Sequence, residues 1–266
     1  MPVESALYTI AAALAGLLIG SFLNVCIYRV PRDLSVVRPR SFCPECGKPV
    51  AWYDNIPVVS FAILKGRCRN CGKAIGLRYL LVELTTGALF AATVARFGWT
   101  LNGLKWCLFE AIMTVLFWVD LEERILPDEF TLGGSALGLL FAFVTKVPGD
   151  LGVLLLPSLG TRGQSLFEAL AGALVLTVPL AAVGFIWGRV TKREVLGMGD
   201  VKLVPCIGLF LGLEAGIQTL LLGSLAAAAL GGMYIFITKK KAREYPLPLG
   251  SFYCGAAAIV PVLMKF

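Results

Sequence analysis

The strongest constraint on this chain is a recurring run of apolar residues about long enough to cross a lipid bilayer. Apolar windows fall near 6–28, 78–97, 101–119, 130–147, 166–188, 200–213, 216–237 and 249–265. A helix rises about 1.5 Å per residue, so roughly 20 residues cover a hydrocarbon core of about 30 Å. Within that core no water is present to satisfy backbone N–H and C=O groups, so each window must be a helix. Composition agrees, with 58% hydrophobic and only 15% charged residues, where soluble domains carry about a quarter. The expected fold class is an all-α polytopic membrane protein, a bundle of about eight transmembrane helices. The window at 200–213 is the shortest, and Asp200 and Lys202 stand at its start. The first window lacks a basic leader region and a small-residue cleavage site, so it reads as a retained span and not a signal peptide.

Basic residues orient the spans. With the N-terminus outside, the loops at 29–77, 120–129, 189–199 and 238–248 face the cytoplasm and, with Arg78 and Lys202, hold 19 of the 24 Lys and Arg. Arg96, Lys105, Lys146, Arg162 and Lys265 remain outside. This is the asymmetry of the positive-inside rule. The net charge of +7 thus reports topology and contact with anionic membrane lipid. No basic helix is interleaved with aromatics, so nucleic acid is not an expected partner. The cluster Lys239, Lys240, Lys241, Arg243 reads as a cytoplasmic stop signal, and the segment 148–165 as an outer interfacial stretch or a mobile loop.

One long polar insertion interrupts the pattern. It divides the chain into a first transmembrane helix (1–28), a cytosolic domain (29–77) and a transmembrane remainder (78–266). Within the insertion, Cys43-Pro-Glu-Cys46 and Cys68-Arg-Asn-Cys71 are separated by 21 residues, and Gly-Lys follows each pair. These are the knuckles of a zinc-ribbon-like domain, in which glycine permits the tight turn. Four thiolates suit tetrahedral Zn²⁺ and leave no position open for water, so the metal is expected to be structural. The alternative is two disulfides, which a reducing cytoplasm opposes. Cys26, Cys107, Cys206 and Cys254 lie in apolar windows and read as packing residues.

Ionisable groups within or beside spans are costly and few: Glu83, Glu110, Asp120, Glu168, Asp200 and Lys202. Asp120 closes the third window and Asp200 opens the sixth, so both belong at the cytoplasmic membrane edge. Two neighbouring carboxyl groups hold one proton between them, and such a pair can hydrolyse a peptide bond, one activating water and the other protonating the carbonyl oxygen. The chain contains no His, which removes Ser-His and Cys-His mechanisms. Gly197 and Gly199 flank Met198 and would let a substrate or facing helix approach Asp200. Helix dipoles would make Asp200, at a helix start, the base and Asp120, at a helix end, the acid. The bland alternative is that these aspartates cap helices or pair with Lys and Arg, as Asp128 after Pro127 is expected to do.

At these residues the chain resembles the type IV prepilin peptidases, GxGD-type membrane aspartyl proteases that are also N-methyltransferases. The likeness runs through GSFLNVCIYRVP (20–31), both cysteine pairs, DNIPVVSF (54–61), GRCRNCGKAIGLRYLLVELTTG (66–87), VDLEERILPD (119–128) and GMGDVKL (197–203). It implies that Asp120 and Asp200 are catalytic, with Gly197, Gly199 and Lys202 in support and no metal in the peptidase site. It implies zinc on Cys43, Cys46, Cys68 and Cys71. The implied substrates are prepilins or pseudopilins of type IV pilus and type II secretion systems, cut after a glycine at the cytoplasmic face of the bacterial inner membrane. S-adenosylmethionine would then methylate the new N-terminus. Glu83 is the candidate for gripping an ammonium group there, against a plain helix-to-helix hydrogen bond. Two features depart from the family pattern: the length of 148–165 and the run YPLPLGSF (245–252). The rival readings are a signal-peptide-peptidase type of intramembrane protease, disfavoured by the cysteine domain, and a transporter or assembly scaffold with proton-carrying carboxylates. The oligomeric state stays open.

Overall fold

A computed structural model describes residues 3–191, 197–238 and 247–263. The expected Lys239–Arg243 stop signal, Lys192, Arg193 and Lys265 lie outside the described residues. The helices are α1 (Val3–Arg29), α2 (Val59–Ile63), α3 (Leu77–Phe97), α4 (Leu101–Glu123), α5 (Asp128–Val144), α6 (Leu151–Leu155), α7 (Thr161–Thr191), α8 (Met198–Thr238) and α9 (Leu249–Leu263). Among the described residues, extended pairing is limited to two isolated antiparallel bridges. α1, α3, α7 and α8 are each long and apolar enough to cross a membrane, so the protein is a helical membrane protein. The chain divides into two compact units, Met1–Val115 and Leu116–Phe266.

In the first unit, α1 and α3 meet at glycines. A Cβ placed on Gly16 would stand 2.7 Å from the Thr86 carbonyl oxygen, and one on Gly20 would stand 2.8 Å from Glu83 Cα. Gly16 and Gly20 form a Gly-x-x-x-Gly pair, which lets backbones touch where no hydrophobic force draws helices together. Asn24 adds a polar tie, its Nδ2 donating to the Tyr79 carbonyl 3.0 Å away. Arg29, at the end of α1, is buried and donates to the carbonyls of Ser35 (2.8 Å) and Pro39 (2.8 Å). It thereby folds the start of the polar insertion back onto the helix. Lys105, assigned from its charge to the outer face, is fully buried in α4, with Nζ 4.1 Å from the Trp106 ring centroid.

The second unit is built around α8. Asp200 lies beside Gly250 of α9, while Gly223, farther along α8, lies against Tyr253 of α9. Twenty-three residues of straight helix would separate Asp200 from Gly223 by about 35 Å, yet both touch the same turn of α9. α8 therefore doubles back, and the break is at Gly212, with φ 72° and ψ −170°. Only glycine adopts that backbone readily, and a Cβ there would meet the Pro148 carbonyl oxygen at 2.3 Å. The two limbs correspond to the windows expected at 200–213 and 216–237. Gly172 of α7 packs directly on Gly208 and Gly212, and Ala142, Val147, Ala169, Ala173 and Leu209 close the core around this crossing.

The 148–165 segment is held in place. Buried Glu168 of α7 accepts the Gly152 N–H at 2.7 Å, and Ser165 Oγ accepts the Val147 N–H at 2.8 Å. Glu168, flagged by its position within a span, thus anchors the α5–α7 connection.

The Gly212→Ala substitution is expected to cost about 1–3 kcal/mol, from backbone strain and overlap with Pro148. The matched control is Gly133→Ala in α5, where a Cβ meets nothing within 4 Å; it should be neutral or slightly stabilising. Thermal unfolding of both variants in detergent checks the difference.

Candidate active site and metal centre

Three helix ends converge in the second unit. Asp120 stands in the last turn of α4, Asp200 in the first turn of α8, and Gly250 with Ser251 at the start of α9. A Cβ built on Gly250 would lie 3.1 Å from Asp200 Oδ1 and 3.2 Å from Asp120 Cγ. The two carboxyl groups are thus separated by no more than the sum of those distances, across 80 residues of chain. The missing side chain of Gly250 leaves space beside both acids that a methyl group would fill.

Asp120 is buried and held from one side. Its Oδ2 accepts the Ser251 N–H at 2.6 Å and the Ser251 hydroxyl at 2.7 Å. The same hydroxyl lies 3.0 Å from the Phe117 carbonyl oxygen, one turn before Asp120, so Ser251 ties α9 to the end of α4. Leu126, in the α4–α5 connection, walls the site and would meet a Cβ on Gly199 at 3.0 Å and one on Gly250 at 2.9 Å. Gly199 is therefore needed for close packing against Leu126. Gly197 sits at the approach to Asp200, where a Cβ would be 3.5 Å from Oδ2.

Lys202 reaches away from the acids and pairs with Asp128, its Nζ 2.8 Å from each carboxylate oxygen. This corrects the expected capping role of Asp128. α5 starts at Asp128 itself, Pro127 occupies the cap position, and no side chain caps that end. The Asp128 carboxylate instead receives a cation from α8, bracing the two helices that flank the acid pair. Asp120 does make a capping contact, accepting the N–H of Ser251 in the first turn of α9, and this contact coexists with its place beside Asp200. Gly250 and Ser251 escaped the sequence reading. The available signal was the run Leu-Gly-Ser-Phe at the head of the last apolar window, a small residue and a hydroxyl where a span begins.

In the first unit, the four cysteine sulfurs lie within 4.8 Å of one another, and Cys43 and Cys71 Sγ are 3.9 Å apart. A tetrahedron with bonds of roughly 2.3 Å to sulfur has edges of roughly 3.8 Å, so the set fits a tetrahedral thiolate metal. The 3.9 Å between Cys43 and Cys71 Sγ is a metal-ligand spacing and far exceeds the roughly 2.05 Å of a disulfide. The two knuckles repeat one local plan. Cys43 N–H bonds the Lys48 carbonyl and Gly47 N–H the Cys43 carbonyl; Cys68 and Gly72 do the same with Lys73 and Cys68. Gly47 (φ 67°) and Gly72 (φ 70°) supply the left-handed turns. The N–H groups of Cys71 and then Asn70, aimed at the Cys68 sulfur, pull that thiol down to about 7. Such a thiol is readily converted to the thiolate that a metal needs. Arg69, inside the second knuckle, grips Asp54 with two bonds of 2.8 and 2.7 Å, fastening the DNIPVVSF segment to it.

Glu83, on α3, is buried and accepts the Val58 N–H at 2.8 Å. A second hydrogen bond comes from the Ser21 hydroxyl of α1. Glu83 thus ties a loop backbone and a neighbouring helix, and the helix-to-helix contact expected as the alternative is present. Cys26, Cys107, Cys206 and Cys254 are buried; Cys206 bonds Ser135, and Cys254 lies close enough to Asp120 and Asp200 to feel both carboxyl groups.

Comparison with known proteins gives the same two parts. Residues 14–97 match the family described as Bacterial Peptidase A24 N-terminal domain, and residues 107–232 match the Type IV leader peptidase family. The chain is 39% identical over 233 residues to a prepilin leader peptidase/N-methyltransferase of Myxococcus xanthus, covering 87% of this chain and 64% of that protein. Proteins of the same name from Klebsiella pneumoniae and Xanthomonas campestris are 38% and 33% identical, over 80% and 94% of this chain and 90% and 89% of theirs. No solved structure matches the chain. With both parts matched and relatives this similar along nearly their whole length, the chain belongs to the type IV leader peptidase family.

Proposed function

We propose that this protein removes the leader peptide from type IV prepilins or pseudopilins by aspartyl hydrolysis at Asp120 and Asp200, and then N-methylates the new N-terminus. The observation that carries the peptidase reading is the meeting of the two carboxyl groups at Gly250. On this reading a water held between the acids loses a proton to the ionised partner. The water oxygen bonds to the carbonyl carbon as the protonated partner donates to the carbonyl oxygen, and the proton taken from water then passes to the amine as the C–N bond breaks. The roles are the reverse of those expected from helix ends. Two donors from Ser251 favour the negative form of Asp120 as base, leaving Asp200 to carry the proton. Gly199 and Gly197 keep the approach open, and the Lys202–Asp128 pair is a brace. The positive-inside charge pattern supports an active site facing the cytoplasm from the inner membrane. The relatives named N-methyltransferase support the second activity, for which S-adenosylmethionine, when bound, supplies an electrophilic methyl group. Zinc on Cys43, Cys46, Cys68 and Cys71 stabilises an insertion too poor in large apolar side chains to fold on its own core.

Asp120→Asn and Asp200→Asn should each lower cleavage of a purified prepilin by about 10²–10⁴-fold without loss of fold. Gly250→Ala, which places a methyl group against both acids, should lower it by about 10²-fold. Ser251→Ala keeps the N–H donor and should lose about ten- to a hundred-fold. Cleavage at wild-type rate in either Asn variant removes the aspartyl mechanism.

Purified protein should carry one zinc per chain by elemental analysis. Cys68→Ser should lose it and expose residues 30–76 to limited proteolysis. Full metal content in that variant would refute the four-thiolate centre.

A further inference from the structure

The first unit contains a cavity of about 280 Å³ at the junction of α1, α3 and the cysteine-rich insertion. Its size is near the lower end of what small-molecule sites occupy. α1 contributes Asn24 and Tyr28, α3 contributes Tyr79 and Glu83, and the insertion contributes Phe42 and Phe61. Neither Asp120 nor Asp200 is among its lining residues.

Three features mark it as a site for a small cation. Asn24 is 2% exposed and donates through Nδ2, but its Oδ1 is buried with no hydrogen-bond partner. A buried acceptor left unpaired costs about 1–3 kcal/mol, which a ligand donor would recover. Glu83 is the second feature. It accepts N–H from Val58, and Ser21 adds a hydroxyl, while no basic side chain among the described residues pairs with it. The basic groups of the cavity wall are engaged elsewhere. Arg29 bonds carbonyls, Arg69 bonds Asp54, and Lys73 stands 3.5 Å from Glu45. The guanidinium groups of the wall are thus already bonded, which leaves Glu83 and Asn24 Oδ1 without a cationic partner there.

The third feature is strain. Val58 has φ 61°, a left-handed conformation that a β-branched side chain adopts at a cost of about 1–3 kcal/mol and that tends to persist where function requires it. The Val58 N–H is the group that Glu83 holds, so the strained turn and the uncompensated carboxylate form one device on the cavity wall.

We infer that this cavity binds S-adenosylmethionine, with Glu83 and the Asn24 carbonyl facing its positive charges and Phe42, Phe61 and Tyr79 supplying apolar surface for the purine. The inference rests on the methyltransferase reading above and assigns that activity its donor site. A sulfonium and an ammonium group are the charges that an acceptor-rich pocket selects, and aromatic faces add to their attraction.

The test is calorimetric titration of the detergent-solubilised full-length protein with S-adenosylmethionine and with S-adenosylhomocysteine, which lacks the sulfonium charge. Glu83→Gln keeps an acceptor for the Val58 N–H and so preserves the turn. It should weaken S-adenosylmethionine by about tenfold or more, a change of about 1.4 kcal/mol, and S-adenosylhomocysteine much less. Asn24→Leu, which replaces the unpaired acceptor with apolar bulk, should weaken both. Melting temperature and zinc content of each variant separate lost binding from lost folding. Wild-type affinity for both ligands in the two variants overturns the cavity assignment. Absence of binding to the wild-type protein, together with no methyl group on cleaved prepilin by mass spectrometry, overturns the methyltransferase reading and the assignment with it.

Discussion

The hydrogen bonds from Ser251 to Asp120 are the contact on which the meeting of the two acids in the second unit depends. They join residues 131 apart in the chain, and they do so with a buried carboxylate, a group that the membrane tolerates only when it is satisfied. One backbone N–H and one hydroxyl therefore dock α9 on the end of α4. That docking puts Gly250, with no side chain of its own, beside both acids. Asp200 reaches the same point because Gly199 lets the head of α8 pack on Leu126. The site is thus a product of close approach between helix ends, and two glycines set that distance.

The same device recurs through the bundle. Between helices in lipid no water is released by contact, so packing must come from dispersion and backbone proximity. Gly16 and Gly20 bring α1 onto α3, and Gly172 meets Gly208 and Gly212 where α7 crosses α8. In each place even one added carbon would overlap backbone atoms. Gly212 serves twice, as a contact and as the hinge by which one continuous run of helix supplies two spans.

Much of this was legible in the amino-acid sequence, for identifiable reasons. Apolar windows report spans because the bilayer imposes both length and helicity, and the Cys-x-x-Cys pairs report a metal site because sulfur geometry demands that spacing. Asp120 and Asp200 stood out because charge in an apolar window is expensive. Gly250 and Ser251 did not stand out, since a glycine and a serine at a span boundary have many uses and their partner lies over a hundred residues away. Asp128 misled for a related reason. Its place after Pro127 matches a cap, while the cation that claims it, on Lys202, comes from a helix 74 residues along. Gly-x-x-x-Gly spacings at Gly16–Gly20 and Gly208–Gly212 lie at the α1–α3 and α7–α8 crossings, but the same spacing recurs at Gly134–Gly138 and Gly184–Gly188, so spacing alone does not single them out. Glu83 was conspicuous as a charge, but its partner, the strained backbone at Val58, has no signature in residue identity.

Magnitudes decide the division of labour between the two acids on the proposed mechanism. A helix end favours or disfavours a charge by about 0.3–1 kcal/mol at an exposed site, and the effect fades beyond the terminal turn. α4 continues to Glu123, so Asp120 is already close to a full turn inside, and its disadvantage is at the weak end of that range. Hydrogen bonds to a charged group contribute about 1.5–3 kcal/mol each, and Asp120 accepts two from Ser251. The local donors therefore outweigh the helix dipoles, and on the proposed mechanism the shared proton is assigned to Asp200. Asp200 lies at the first turn of a helix that begins just after Gly197, so the acid that must hand its proton to the substrate is the one on the more open approach. The base, which needs only to hold a water, is the one fixed in place by α9.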